Sequence, residues 1–342
     1  MKNSREKETN MPEEAVKTEG GKTLPEAHAP GVEWLQVEFI RDMRIPWNWE
    51  DLLQNALTAG ENYNLATAGC VLGTLAEFAA VKVEAVLRQM GFDQIVSEHY
   101  LLSTETKNRV SKPARTFGHK ELEKDGKKLH VICAVCKGTT TLPDCLTDVK
   151  SILDGFYAGG LDCAQSLKEY IDKIDGAKKD NTILFITGHS LGASTANVLG
   201  RLSGDFAEAE ATFVYTFASP NYETDGEFNN AKAYPNFIYY TNTDDVVPKV
   251  PPRIPPHYFS KIGKEHLFNY ATLNKDEKAR FLRAYRYFRG MDFEEDTDLL
   301  GLGFRENATM SYKALKNHIT HTYMSFLLSE LADSEIDLYL PG

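Results

Sequence analysis

Residues 182–202 read TILFITGHSLGASTANVLGRL, and the chain path they dictate decides where chemistry can sit. Thr182–Thr187 is a short apolar, β-branched run of strand type. Gly188-His189-Ser190-Leu191-Gly192 follows as G-x-S-x-G, and small helix-compatible residues continue from Ala193. A strand, a sharp turn and a helix are predicted in that order. A turn that tight strains the backbone of Ser190 and pushes its hydroxyl out at a sheet edge, while the flanking glycines, lacking Cβ, let strand and helix approach. The Leu191 amide opens the helix and can donate to a developing oxyanion. The bare motif arises by chance in roughly one such chain in ten, so its weight comes from the strand before it and the helix after it. The plainer alternative is a glycine-rich turn packing an ordinary Rossmann-like helix.

Working outward, Ile95–Leu102, Ala114–Lys120 and Leu129–Lys137 read as strands, with Lys124-Asp125-Gly126-Lys127 as a hairpin turn. A helix is predicted around Cys163–Ile174, with Leu167, Tyr170, Ile171 and Ile174 in one stripe, and further buried strands at Ala211–Phe217 and Asn236–Thr241. This alternation predicts an α/β fold, a mostly parallel central sheet with helices on both faces. Before it, Val32–Trp49 carries enough aromatic mass to anchor a first segment. Trp49–Met90 has helical spacing for two or three helices, ended by Gly91-Phe92. Beyond the sheet, Lys275–Arg289 reads as a charged amphipathic helix, Asp292–Thr297 as a solvated acidic loop and Asn317–Leu331 as a final helix. The division expected is a disordered tail over 1–30 and a single domain over 31–342, in which 31–128 is an N-terminal helical and strand segment and 260–313 a surface insertion.

The 342 residues, 42% of them hydrophobic, suffice for a large core. A net charge of −11 argues against nucleic acid or an anionic membrane as the main partner and suits a neutral substrate. The longest apolar run, Leu65–Val81, is interrupted by Glu77 and predicts a buried helix rather than a membrane span. Five cysteines (Cys70, Cys133, Cys136, Cys145 and Cys163) at irregular spacing do not make a disulfide framework. The C-x-x-C at Cys133–Cys136 lies in a strand, where core packing is expected, and no metal constellation stands out. Residues 1–30 are rich in Lys, Glu, Thr and Pro and lack the apolar core of a signal peptide, so a cytoplasmic protein is expected.

A serine hydroxyl needs a histidine base, and that histidine a carboxylate. In a doubly wound hydrolase the order is Ser, Asp, His, with the acid in the loop after a later strand. Phe237–Thr241 is such a strand, and its loop offers Asp244 and Asp245. After it, His257, His266, His318 and His321 are the available bases.

These residues resemble the class 3 lipases, the α/β-hydrolases typified by filamentous-fungal lipases. The D-x-V-P loop of that family is matched by Asp245-Val246-Val247-Pro248. The family histidine, five residues before a tyrosine in bacterial members, is matched by His318 with Tyr323, whereas His321 precedes that tyrosine by two. Cys136-Lys137-Gly138-Thr139 stands in place of F-R-G-T, which implies Thr139 as second oxyanion donor beside Leu191. Leu146-Thr147-Asp148, Gly155-Phe156-Tyr157, Tyr215–Pro220 and Ile262–Glu265 match further family segments. Lys137, Cys145 and Leu153-Asp154 depart from the usual residues. The stretch 139–155 is shorter than in fungal members, though Leu142, Cys145, Leu146, Val149 and Ile152 keep the helical spacing of a short lid.

The resemblance implies a lipase or carboxylesterase with the triad Ser190, Asp245 and His318 and oxyanion donors Thr139 and Leu191. It implies no metal or organic cofactor, a lipid or other carboxylic ester as substrate, no integral membrane segment and at most transient contact with a lipid surface. Feruloyl esterases and phospholipases A1 share such a triad, and a non-catalytic lipase-like interaction protein is a further alternative.

Overall fold

The computed structural model describes residues 31–58, 61–100, 112–138, 149–222, 233–251, 253–254, 257–258, 260–293 and 316–341. Two strands, β1 (Glu33–Glu38) and β2 (Asp42–Trp47), open the chain as an antiparallel pair, the form taken by the aromatic-rich first segment. Three helices follow: α1 (Trp49–Thr58), α2 (Tyr63–Phe78) and α3 (Ala80–Gln89). Gly91, at φ +86°, ends α3 with its amide on the Arg88 carbonyl. That is the left-handed residue a helix C-terminus favours.

The central sheet has seven strands. After β3 (Asp93–Glu98), β4 (Arg115–Lys124) and β5 (Lys127–Cys136) form the predicted hairpin, turning through Asp125 and Gly126 at φ +52° and +71°. Both values belong to a type I′ turn. Next come α4 (Val149–Ile171), β6 (Thr182–His189), α5 (Leu191–Leu202), β7 (Thr212–Phe217) and β8 (Phe237–Asn242). A small ribbon, β9 (Arg253–Ile254) with β10 (His257–Tyr258), precedes β11 (Lys264–Phe268). The sheet order is β11-β8-β7-β6-β5-β4-β3, parallel from β11 to β5 and antiparallel beyond. Among the described residues three helices follow: α6 (Lys275–Arg289), α7 (Thr320–Ser329) and α8 (Asp333–Tyr339).

Strand alternation divides the core in two. Val131, Cys133, Val135, Ile183 and Phe185 face a cluster with residues of α2, α3, α6, α7 and α8. Ile132, Ala134, Cys136, Leu184 and Ile186 face α4 and α5 through Cys163, Leu167, Ala196 and Leu199. The chain therefore has the α/β-hydrolase architecture, and Cys133 and Cys136, three apart on one strand, serve opposite cores. Cys70, Cys133, Cys136 and Cys163 are all buried free thiols.

The helix α2 is buried along fourteen of its residues and lies against β6, and among the described residues no helix is long and apolar enough to cross a membrane. The reading of 260–313 as a surface insertion needs correcting over its first half. Lys264–Phe268 is the edge strand of the central sheet, and α6 buries Phe281, Ala284, Tyr285 and Phe288, with the Phe281 and Phe326 rings 4.6 Å apart. Its high charge comes from the outer face alone, which hid the apolar stripe. The 1–30 tail, the lid positions Leu142, Cys145 and Leu146, and Glu294–Thr297 lie outside the described residues.

Candidate active site

Four parallel strands, β5 to β8, end at one edge of the sheet, and the loops leaving that edge carry Gly138, Ser190 and Asp245. Ser190 follows β6 at φ +56° and ψ −127° and caps α5. A non-glycine residue there costs on the order of 1–3 kcal/mol, which the packing around the turn must sustain. The Ser190 amide donates to the Phe217 carbonyl of β7 at 2.9 Å, fixing the turn to its neighbour strand. A Cβ on Gly188 would stand 2.5 Å from the Gly192 carbonyl oxygen, and one on Gly192 2.4 Å from the Cys136 carbonyl oxygen. Both outer positions of G-x-S-x-G therefore demand glycine.

The Ser190 hydroxyl lies 2.9 Å from Nε2 of His318, and His318 Nδ1 lies 2.9 Å from Oδ2 of Asp245. A carboxylate only accepts, so Nδ1 carries the hydrogen and Nε2 presents its lone pair to the serine. Asp245 is fully buried and well supplied with donors: the Val247 amide reaches Oδ1 at 2.9 Å and the Tyr323 hydroxyl reaches Oδ2 at 2.8 Å. The Asn242 amide in turn donates to the Tyr323 hydroxyl at 3.1 Å, so the tyrosine joins the end of β8 to the acid. The structure thus brings together Ser190, Asp245 and His318 as the sequence expected.

The remaining candidates sort themselves by their partners. Asp244 accepts from Asn317 Nδ2 through its main-chain oxygen at 3.3 Å. His266, in β11, sits between the carboxylates of Glu61, at 2.9 Å, and Glu330, at 3.0 Å. His321 is buried beside the Tyr285 ring, and burial, with help from Arg289 and His189, pushes its pKa down to about 3. The side chain of His257 lies outside the described residues.

Leu191 is the first residue of α5, so its amide has no helical carbonyl to serve. Thr139 lies outside the described residues, but Gly138 brings its loop to the turn. A Cβ built there would be 3.6 Å from that of Ser190 and 2.9 Å from the His189 carbonyl oxygen. Among the described residues no cluster of three or more His, Cys, Asp or Glu could hold a metal ion.

One part of the site escaped sequence reading. Glu77, near the end of α2, faces Nδ1 of His189 at 2.5 Å, and Nε2 of His189 faces the His318 carbonyl oxygen at 2.9 Å. Burial alone would disfavour charge on either group, yet each holds the other's: His189 is raised above its ordinary value by Glu77, and Glu77 is lowered by His189. The available signal was that Glu77 is the sole charge in the apolar run Leu65–Val81.

Residues 124–254, from the end of β4 past the Asp245 loop, match the model for the family lipase (class 3). Among solved structures, a lipase from Rhizopus microsporus var. chinensis is similar at 17% identity and TM-score 0.40, over 74% of this chain and 85% of that one. A fungal lipase is similar at 17% identity and TM-score 0.38, over 67% and 83%. A mutant form of MDLA from Penicillium cyclopium stands at 17% and 0.36, over 67% and 83%.

Proposed function

We propose that the chain is a serine carboxylic ester hydrolase of the class 3 lipase type, cleaving lipid esters through an acyl-enzyme on Ser190. The observation that carries this reading is the unbroken hydrogen-bond chain Ser190–His318–Asp245 on a strained strand-to-helix turn. The family match over residues 124–254 supports it independently.

In this reading Ser190 Oγ attacks the ester carbonyl carbon as its proton passes to His318 Nε2. The negative charge on the former carbonyl oxygen is held by the amides of Leu191 and Thr139. Asp245 keeps the imidazole in its working tautomer and balances its positive charge. Collapse breaks the ester C–O bond, and the leaving alkoxide takes the proton from His318. Water then gives a proton to the same nitrogen as it attacks the acyl carbon; collapse breaks the bond to Ser190 Oγ, which takes that proton back from His318 as the acid leaves.

The match to the class 3 lipase family favours a lipid ester over a small soluble one, and Phe78, which ends α2 directly after Glu77, is an exposed aromatic side chain.

Treatment with a fluorophosphonate probe, followed by peptide mass spectrometry, tests the assignment. A single adduct at Ser190, absent from Ser190→Ala, is expected, together with a rate on p-nitrophenyl esters that rises with acyl length. No adduct in folded protein, with and without detergent, would overturn it in favour of a non-catalytic interaction protein.

A further inference from the structure

The segment that brings His318 to the site is fixed through its backbone. Three successive carbonyls show how. The Lys316 carbonyl accepts from Thr322 Oγ1 at 2.6 Å, the Asn317 carbonyl from Asn242 Nδ2 at 3.0 Å, and the His318 carbonyl from His189 Nε2 at 2.9 Å. Thr322 and Asn242 carry neutral donors that are always present. His189 is different, because an imidazole donates from a given nitrogen only in the right protonation state.

Both ring nitrogens of His189 face acceptors: a carboxylate at Nδ1 and a main-chain carbonyl at Nε2. Only the doubly protonated ring satisfies both at once. The ring lies tilted against that of His318, with centroids 4.9 Å apart, and edge-on to Tyr323 at 6.1 Å. We propose that Glu77 and His189 form a positioning pair, in which the Glu77 carboxylate keeps His189 doubly protonated so that Nε2–H holds the His318 backbone and sets its imidazole between Ser190 and Asp245. This rests on the hydrolase reading for its kinetic consequence, though not for the protonation state itself.

The charge is worth having only with its counterion. His318 gains a proton at each half of the turnover, and a second imidazolium in ring contact would oppose that. Glu77 cancels the charge of His189 from the α2 side. The other charged or titratable groups around the pair are Asp245 and His318 of the site, Lys137 of the loop after β5, and His321 and Tyr323 of α7. Of these, the His318 backbone carbonyl and then Asp245 add to Glu77 in favouring the His189 charge.

The test has two independent readouts. The first is ¹⁵N NMR of the histidine rings. Wild-type protein at neutral pH is expected to show an imidazolium that disappears in Glu77→Gln and in His189→Gln. A neutral His189 in the wild type overturns the proposal whether or not the protein turns over any ester. The second is kinetic. Once His189 loses a proton, the carboxylate retains Nδ1–H, and the bare Nε2 then faces a carbonyl. Wild-type kcat should therefore fall as pH rises above the ordinary histidine range.

Glu77→Gln gives a permanently neutral His189 whose Nδ1 accepts from the amide, leaving Nε2–H in place, so that alkaline limb should vanish. Glu77→Ala should lower kcat by about tenfold with KM unchanged within about twofold, and the Gln variant should recover most of that loss. A Glu77→Ala enzyme with wild-type kcat and an unchanged alkaline limb would overturn the positioning role. Unchanged circular dichroism of Glu77→Gln and Glu77→Ala at the assay temperature, below their melting points, separates positioning from folding.

Discussion

The left-handed backbone of Ser190 is affordable because its amide is tied to β7 and its neighbours are glycines pressed on other backbone. Gly192 shows how narrow the tolerance is, since an added Cβ would be 2.6 Å from the Gly138 amide nitrogen of the loop after β5 as well as 2.4 Å from the Cys136 oxygen. Neither neighbour is a movable side-chain tip. Gly192→Ala is therefore expected to displace that loop, reducing kcat by about a hundredfold. Kinetics on a short p-nitrophenyl ester would check this, and near-normal kcat would refute it. Tyr323 supplies a second single-atom prediction, because its hydroxyl both donates to Asp245 and accepts from the Asn242 amide. Tyr323→Phe keeps the buried ring but strands the Asn242 amide and takes from Asp245 one of its three donors, at a cost of about 1–3 kcal/mol in stability. Urea denaturation measures that directly, and kcat should fall with it as the acid loses a constraint.

At the scale of elements, α2 sets how closely the helical layer approaches the turn. Gly69 and Gly73 lie one turn apart on the face against β6: the Thr187 hydroxyl reaches the Gly69 carbonyl at 2.9 Å, and a Cβ on Gly73 would be 3.1 Å from the backbone carbon of Gly188. Gly73→Leu should wedge α2 off the turn, costing about 1–3 kcal/mol and carrying Glu77 away from His189. Loss of activity exceeding the loss of stability would show that the helix acts on the site, and an unchanged enzyme would show that it does not.

The elements themselves were largely legible in the sequence. Strand–turn–helix around Ser190, the hairpin at Asp125-Gly126 and the bounds Lys275–Arg289 all come from local patterns that physics reads locally. The order Ser190, Asp245, His318 was expected from the hydrolase architecture, and the choice among neighbouring carboxylates and histidines from the family resemblance. Illegible were the features with no local signature. The five-residue β11 is mostly solvent-facing as an edge strand, α8 is short, and the contact of Glu77 with His189 spans 112 positions. Long-range pairing of that kind leaves only a trace in the sequence, here one charge in an apolar run.

For the molecule as a whole, buried histidines of two opposite kinds should bound stability on both sides of neutrality. His266 is one kind: burial works against its charge, but Glu330 and Glu61 on either side outweigh this and raise its pKa. His189 behaves alike through Glu77. A histidine raised on folding contributes fully below its unfolded value near 6.5, and that contribution fades as pH climbs through the folded value. His119, His130 and His321 are the other kind. Burial lowers all three, with the His119 and His130 rings stacked at 5.2 Å and linked nitrogen to nitrogen at 3.0 Å. Their contribution is present above 6.5 and fades as pH falls, because the unfolded chain then takes up protons that the folded one refuses. Glu77 and Asp162, both lowered, add a further loss once pH drops below the ordinary carboxylate range. Stability is therefore expected to peak just above the unfolded histidine value and decline in both directions. The variants separate the limbs. His266→Gln should make the alkaline decline shallower, leaving the part due to His189, with the acid one unchanged, and His321→Gln should make the acid decline shallower, leaving the part due to His119 and His130, with the alkaline one unchanged. Urea midpoints measured from about pH 4 to about pH 10 would show this, since each variant removes the proton linkage of one group only. Parallel displacement of the whole curve in either variant, without a change of slope, would mean that these rings pack but do not titrate across folding.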